Sequence, residues 1–255
     1  MVPTGVDPSA QPKPKTALVA RAACRPCAPP DSRMPWVGFR VVLSVEGVRR
    51  QRWLAELAAD PDRAFARRSL SLGGHVTTRD NMGKQIKATS LDELPEEFKL
   101  IGINFFVSGA QAQRVTDDVL EGLSRLEQLE YLNLRATRVG DGVTHHVRDC
   151  LGLKYLNLHA TGVTDQGLPP VAKLPNLELL DVGWNPRITD EGLQLLKPAA
   201  QLKTINLFST RITDVGLMHL GEISTLRLIE LKNKSISSAA IDRLQQQLPD
   251  ATILR

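Results

Sequence analysis

The sequence holds little of what a covalent framework or a membrane anchor requires. Only three of its 255 residues are cysteine, and aromatic residues make up 4% of the chain. Three cysteines cannot build a disulfide framework. The longest apolar stretch near the N-terminus, Ala17 to Ala20, ends at Arg21 and is too short for a signal peptide. No stretch approaches the length of a membrane-spanning helix. These absences predict a cytoplasmic chain that does not enter a membrane.

An overall excess of basic charge on the folded part is also missing. Residues 1–54 hold nine Lys and Arg against three Asp and Glu, whereas residues 126–255 hold 14 of each kind. Binding to nucleic acid would need a basic stripe on the folded surface. The basic N-terminal segment could bind polyanions only without specificity. Nucleic acid is therefore not the expected partner.

What the sequence does contain is one pattern repeated five times. Its anchor positions are spaced by 24, 24, 25 and 24 residues: Leu132, Leu156, Leu180, Ile205 and Ile229. A fixed period of this length indicates stacked structural units. Each unit opens with alternating apolar residues, as in Leu153-x-x-Leu156-x-Leu158, which predicts a short strand with one buried face.

The second half of each unit predicts a short helix. The pattern Thr-Asp-x-Gly-Leu stands at residues 164–168, 189–193 and 213–217. Thr and Asp are favoured at helix N-termini, because a side-chain oxygen accepts from the free N–H groups of the first turn. Such a helix is too short to be stable alone. It is expected to pack on the strands of its own unit and of its neighbours.

These motifs resemble the leucine-rich repeat family, in the bacterial subtype that carries Thr-Asp-x-Gly-Leu. The resemblance covers about Leu126 to Arg255. It implies an α/β fold, a right-handed leucine-rich repeat solenoid with a parallel sheet on the concave side and short helices on the convex side. A fold of this kind hosts many partners, so it does not identify one.

The chain is predicted to have four segments. Residues 1–34 are rich in Pro, Ala and Arg and are expected to be disordered. Residues 35–50 are expected to hold one strand without a partner. Residues 51–125 are assigned as an N-terminal cap with a helix over 51–72, a hairpin and a degenerate first repeat, and residues 126–255 as five repeats with a C-terminal strand cap.

Residues 36–45, WVGFRVVLSV, resemble the last strand of formylglycine-generating-enzyme-like domains, which often end in GFRVV. The cysteines that carry the chemistry of that family lie upstream of this strand, and no corresponding region is present here. The resemblance therefore does not imply that activity. It favours a remnant of a once larger protein or a misplaced start, with Met34 as the alternative start.

Residues between the buried leucines are predicted to face the concave side in three exposed columns. The first column is Tyr131, Tyr155, Leu179, Thr204 and Leu228; the middle column is Asn133, Asn157, Asp181, Asn206 and Glu230; the third is Arg135, His159, Gly183, Phe208 and Lys232. All except Thr204 and Gly183 are predicted to contact a partner, because Tyr and Arg often dominate interface energies. The alternative is that Tyr131 and Tyr155 only cover each other across adjacent strands.

No catalytic or metal site is predicted. The densest reactive cluster is residues 145–150, HHVRDC, in which His146 and Cys150 would share a helix face. The repeat register instead places Val147 and Cys150 in the core and the histidines in solvent. Cys24 and Cys27 have the spacing of a redox or zinc motif but lack the surrounding strand and helix and two further ligands. No cofactor is expected.

The sequence thus favours a non-enzymatic, monomeric interaction module that binds a protein partner through its concave face, with no small-molecule substrate. A second interpretation is an orphaned C-terminal regulatory or targeting part of a larger enzyme, of a sulfatase-modifying-factor-like or kinase-linked kind. A third is a nucleic-acid-associated protein that uses its basic N-terminal segment. The identity of a captured partner would separate these interpretations.

Overall fold

The computed structural model divides the chain into two compact units, Met1–Ala59 and Asp60–Arg255. The residues that it describes are 18–19, 42–43, 45–106, 109–233 and 235–255. The predicted disorder of residues 1–34 falls outside these ranges except at 18–19, and so do Cys24, Cys27 and Met34. Most of the GFRVV segment lies outside them too. The segment boundaries at residues 34, 50 and 125 stay predictions.

In the first unit, the strand that was predicted within residues 35–50 to have no partner is paired with another strand. Strand β1, Leu18–Val19, pairs antiparallel with strand β2, Val42–Leu43. Helix α1 spans Val45–Ala59 and begins earlier than the expected residue 51. Its first turns contain Glu, Arg and Gln, which favour helix, and this explains why residues 45–50 are helical rather than part of an extended strand.

The single helix predicted over residues 51–72 is interrupted at Asp60. Helix α2, Pro61–Ser71, starts with a proline, and proline disfavours helical geometry in the residue before it. Asp60 is accordingly extended, with φ −152°, and its side chain accepts from the N–H of Arg63 at 2.9 Å. The side chain thereby caps the first turn of α2.

The second unit is built on one twisted sheet. Among the described residues this sheet has nine strands: β3 (His75–Arg79), β4 (Gln85–Ala88), β5 (Lys99–Asn104), β6 (Tyr131–Asn133), β7 (Tyr155–Asn157), β8 (Leu179–Asp181), β9 (Thr204–Asn206), β10 (Leu228–Glu230) and β11 (Thr252–Leu254). Strands β5 to β11 are parallel neighbours in chain order. The antiparallel hairpin β3–β4 continues the sheet on the other side of β5.

The predicted N-terminal hairpin covers the first strand of the solenoid. At its turn, Asp80 Oδ1 accepts from the N–H groups of Met82 and Lys84, both at 2.9 Å. Beside it, the carboxylate of Asp62 in α2 accepts from the N–H of Leu100 at 2.7 Å and lies 3.2 Å from Lys99 Nζ. The edge of β5 is therefore paired rather than open to other chains.

The helices follow the strands in alternation, as the repeat predicts. They are α3 (Asp141–Val147), α4 (Leu168–Ala172), α5 (Asp190–Leu195), α6 (Asp214–Leu220) and α7 (Ser238–Gln247), with 3₁₀ turns at Leu91–Glu93, Gly109–Arg114, Asp117–Leu120, Leu123–Arg125 and Asp165–Gly167. The five anchor residues pair directly along the sheet and are fully buried. The core is therefore a continuous stack of aliphatic side chains, as expected of a solenoid.

A ladder of Thr and Asp side chains, here called the Thr–Asp ladder, joins each repeat to the next. The carboxylate of Asp165 accepts from both the N–H and the hydroxyl of Thr189, at 2.8 and 2.6 Å. Equivalent pairs of bonds join Asp141 to Thr164, Asp190 to Thr213 and Asp214 to Ser237. Hydrogen bonds from the Ser237 hydroxyl and N–H lower the pKa of the Asp214 carboxyl, so the ladder favours the ionised form there.

The same ladder explains the glycine of the Thr-Asp-x-Gly pattern. A Cβ at Gly167 would lie 2.6 Å from Asp141 Oδ1 of the preceding repeat. Gly192 and Gly216 meet the preceding Asp165 and Asp190 in the same way. Each Asp is fixed by two bonds, so it cannot move aside for a side chain. The glycine is therefore required by packing between repeats.

Candidate partner-binding surface

The predicted columns lie side by side, because the strands pair in the register that the repeat indicates. Tyr131 is opposite Tyr155, Tyr155 opposite Leu179, and Leu179 opposite Thr204. The middle column follows the same pairing from Asn133 to Glu230. The register of the first two columns is therefore confirmed, whereas their role in binding stays a prediction.

The first column is half-buried and apolar. The rings of Tyr131 and Tyr155 stack with centroids 4.2 Å apart and an interplanar angle of 15°. Burial, together with the neighbouring Tyr155, raises the pKa of the Tyr131 hydroxyl, although a hydrogen bond from Asn133 acts the other way. The stack therefore exists, as the packing alternative expects. Both tyrosines remain partly exposed, and so do Leu179 and Leu228 further along the column.

The middle column does not form the solvated face that was expected. Asn133, Asn157 and Asp181 are only 8%, 5% and 7% exposed. At the last residue of each of strands β6 to β9, a side-chain oxygen accepts a hydrogen bond from the backbone N–H two residues later. This bond draws the side chain against the backbone. The distances lie between 2.9 and 3.0 Å for the acceptors Asn133, Asn157, Asp181 and Asn206. The column is therefore chiefly a set of strand-end caps, and the expectation that it is exposed is wrong for its first three members.

His159 is buried as well, for a reason that lies one strand away. Its Nδ1 is 3.2 Å from Asp181 Oδ1, and the residue is only 6% exposed. A Cβ at Gly183 would lie 2.9 Å from the His159 ring, so the glycine makes room for it. Asp181 also accepts from Asn157 Nδ2 at 3.2 Å. Together these three side chains form a hydrogen-bonded network inside the concave face, rather than the exposed contacts that were predicted.

The two cations of the third column, Arg135 and Lys232, lie over aromatic rings. Lys232 is exposed, with its Nζ 5.7 Å from the centre of the Phe208 ring. The guanidinium of Arg135 lies 5.5 Å from the centre of the Phe106 ring, and Phe106 is 54% exposed. Cations over aromatic faces attract the ring electrons, and the attraction weakens with exposure to solvent.

Sequence reasoning missed Trp184 as a surface residue. It is 54% exposed and has φ 55°, a left-handed backbone conformation that is uncommon outside glycine. Its ring centre lies 5.9 Å from that of Phe208. The signal in the sequence is the repeat register, because Ala136, Ala160 and Ser209 occupy the same position in their repeats and are also left-handed. Together, Phe106, Arg135, Trp184, Phe208 and Lys232 form what is here called the aromatic rim, at the carboxyl ends of the strands.

Charges at the opposite, amino ends of the strands are paired. Glu130 contacts Arg79 Nη2 at 2.9 Å and Lys154 Nζ at 3.1 Å, and Glu178 contacts Lys203 Nζ at 3.1 Å. Burial alone would raise the pKa of the Glu130 carboxyl, but the hydrogen bonds and charges of Arg79 and Lys154 outweigh it and hold that pKa below its usual value. Arg79, Lys154 and Lys203 at this edge therefore each lie against a carboxylate.

Comparison with known proteins agrees with this geometry. A family model described as Leucine Rich repeat matches residues 173–197 and 201–221, which include strand β8, helices α5 and α6, and strand β9. The fold is a leucine-rich repeat solenoid. Among curated proteins, none matches the chain. The bacterial subtype and the N-terminal remnant stay predictions.

Among solved structures, this chain is similar to a chain in the crystal structure of the Rad7 and Elc1 complex in yeast. The TM-score is 0.47 and the sequence identity is 20%. The match covers 56% of this chain and 40% of that chain, so this chain spans less than half of that relative.

Among the described residues, hollows border the concave face of the leucine-rich repeat solenoid near both of its ends. Two lie beside Lys232 near the last strands, with volumes of about 340 and 490 Å³, and Phe208, Leu231 and Arg255 line both. The third, of about 470 Å³, lies between the β3–β4 hairpin and Tyr131. The rim and the first column therefore border recessed surface towards both ends of the solenoid.

Helix α3 ends at Val147, within the HHVRDC segment, so His146 and Cys150 do not share a helix face. Val147 and Cys150 are each 1% exposed, and the Cys150 Sγ lies 3.4 Å from the carbonyl oxygen of Leu123. Burial, with the nearby Asp149 charge, raises the pKa of the Cys150 thiol to about 12. The thiolate that a nucleophile needs is therefore scarce at neutral pH. The described residues contain no group of three or more His, Cys, Asp or Glu arranged to hold a metal ion.

Within the part of the chain that the structure describes, none of the helices combines the length and the apolar character that crossing a bilayer would demand.

Proposed function

We propose that this chain is a non-enzymatic protein-interaction module that holds a protein partner on the concave face of its solenoid. The supporting observation is the first column, where Tyr131, Tyr155 and Leu179 lie side by side in register and remain partly exposed, with Leu228 one strand beyond Thr204. Partly exposed aromatic and aliphatic side chains on neighbouring strands are typical of a partner site.

The neighbouring middle column supports the same proposal by fixing the surface. Asn133 and Asn157 donate to the hydroxyl oxygens of Tyr131 and Tyr155, at 3.3 and 3.2 Å, while each accepts from the backbone. The rings are therefore held in place before a partner arrives. A surface ordered in advance loses less conformational freedom on binding, which strengthens the complex.

The decisive experiment removes the first column without touching the core. A Tyr131→Ala/Tyr155→Ala/Leu179→Ala variant is expected to lose its partner in affinity capture followed by quantitative mass spectrometry. The control replaces three exposed apolar side chains of helices α5 and α6: Leu195→Ala/Val215→Ala/Met218→Ala. Circular dichroism and thermal unfolding establish that both variants fold. Equal capture by wild type and the concave variant would overturn the concave-face proposal.

A further inference from the structure

We infer that the aromatic rim recognises an acidic peptide segment with an apolar anchor at its centre. The inference rests on the proposed function and specifies the chemistry of the partner. It comes from the contrast between the two edges of the concave sheet. At the amino edge the cations face carboxylates, whereas at the carboxyl edge Arg135 and Lys232 face rings.

The rim cations Arg135 and Lys232, together with the neighbouring Arg255, give this edge a basic charge. Among the described residues, no ion pair joins Arg135, Lys232 or Arg255 to a carboxylate, although ion pairs occur elsewhere on the same sheet. Glu230 is the one acidic residue in the lining of the smaller hollow, beside Lys232 and Arg255. Asp181 is buried and bonded within the protein. An acidic ligand would complement this charge.

Two of the three aromatic residues of the rim, Trp184 and Phe208, lie between the two cations. Trp184 follows β8 and Phe208 follows β9, while Arg135 follows β6 and Lys232 follows β10. At the usual strand separation, the backbone positions of Arg135 and Lys232 are about 19 Å apart. An extended peptide covers that distance with about six residues. The fitting segment therefore carries acidic residues at both ends and an apolar side chain near its middle.

The hollows beside Lys232 favour a peptide over nucleic acid. Leu231, Ile236 and Ile241 line the larger one, which suits an aliphatic or aromatic side chain. Asn233 lines it too, and its Oδ1 is buried without a hydrogen-bond partner among the described residues. A peptide N–H would satisfy this oxygen. Three cations are few for a phosphate backbone, which needs a stripe of them.

Selection from a random 12-residue peptide display library, with the full chain as bait, tests the inference. Enriched peptides are expected to carry Asp and Glu on both sides of an apolar residue. Their affinity, measured by fluorescence anisotropy, is expected to fall about tenfold or more in Trp184→Ala. In Arg135→Gln/Lys232→Gln it is expected to fall at least about fivefold and to depend less on salt. The matched control, Lys154→Gln/Lys203→Gln, removes two cations from the amino edge and is expected to change affinity less than about twofold.

Several outcomes would overturn the inference: no enrichment, enrichment of neutral or basic peptides, or equal binding to wild type and the rim variants. Tighter binding of a 12-nucleotide oligothymidylate than of any selected peptide would also overturn it, in favour of nucleic acid. These outcomes are separate from the first test. If the rim variants bind as the wild type does while the Tyr131→Ala/Tyr155→Ala/Leu179→Ala variant still loses its partner, the concave-face function stands without an acidic ligand.

Discussion

The solenoid carries two ladders of polar side chains, and their bonds run in different directions. In the Thr–Asp ladder, each Asp binds the Thr or Ser of the following repeat through two hydrogen bonds. In the middle column of the concave face, each Asn or Asp first binds an N–H two residues along its own chain. One ladder holds repeats together, and the other shapes the end of each strand.

This difference has a consequence for stability. A repeat protein is stabilised by each repeat and by the interfaces between neighbours. A change in the Thr–Asp ladder therefore weakens an interface, whereas a change in the middle column weakens mainly one repeat. Asp181 is the exception, because it binds Asn157 and His159 of the preceding repeat as well as its own backbone.

The largest effect is expected from Asp165→Ala. It leaves the N–H and hydroxyl of Thr189 without their charged acceptor, and should lower the free energy of unfolding by about 3 kcal/mol. Gly192→Ala should cost about 1–3 kcal/mol, because its Cβ would overlap Asp165 Oδ1. Urea denaturation followed by circular dichroism measures both changes.

The double variant tests whether these two residues act through one contact. With Asp165 already replaced by Ala, the Gly192→Ala change is expected to cost less than it does in the wild type, because the contact with Asp165 is gone and only that with Leu168 Cδ1, at 2.9 Å, remains. The control is Gly221→Ala, where the Cβ would meet the flexible end of Gln247, and it should be tolerated. Additive losses in the double variant would contradict the packing explanation of the Thr-Asp-x-Gly pattern.

The next largest effect is expected from Asp181→Ala, the residue at which the middle column joins two repeats. It removes the acceptor for Asn157, His159 and the N–H of Gly183, and should cost about 2 kcal/mol or more. The matched change Asn206→Ala removes one backbone bond, to Phe208 at 2.9 Å, and should cost about 1 kcal/mol. Equal losses in urea denaturation would mean that Asp181 does not join the two repeats.

The same comparison separates what the sequence could predict from what it could not. Period and alternation place Leu156 and its counterparts in the core and align Tyr131 with Tyr155, because both features depend only on position within a repeat. Thr189 is also the helix cap that its sequence position predicts. Asp190, expected as a second capping residue, instead binds Thr213 of the next repeat. A local pattern cannot distinguish these two roles.

Exposure within the concave face was not predictable for a related reason. Alternation assigns His159 and Asp181 to the concave side but does not show how closely neighbouring strands pack. His159 is buried because Gly183, in the following repeat, has no side chain. Trp184 stands at the left-handed turn position that Ala136, Ala160 and Ser209 also occupy, and alternation along a strand does not describe a turn.

The smallest effect concerns the paired amino edge of the sheet, where Glu130→Gln keeps the shape and removes the charge. Arg79 and Lys154 lower the folded-state pKa of Glu130, so its ionised form stabilises the fold above the unfolded pKa of about 4.3. That contribution is lost as the pH falls through the folded value. The free energy of unfolding of the wild type should therefore exceed that of the variant by at most about 1 kcal/mol at pH 7. This difference should vanish in urea titrations carried towards pH 3. Glu178→Gln, at a pair where the carboxylate is 49% exposed rather than 28%, should differ less from wild type at pH 7. A Glu130 difference that grows on acidification would contradict the assigned ion pairs.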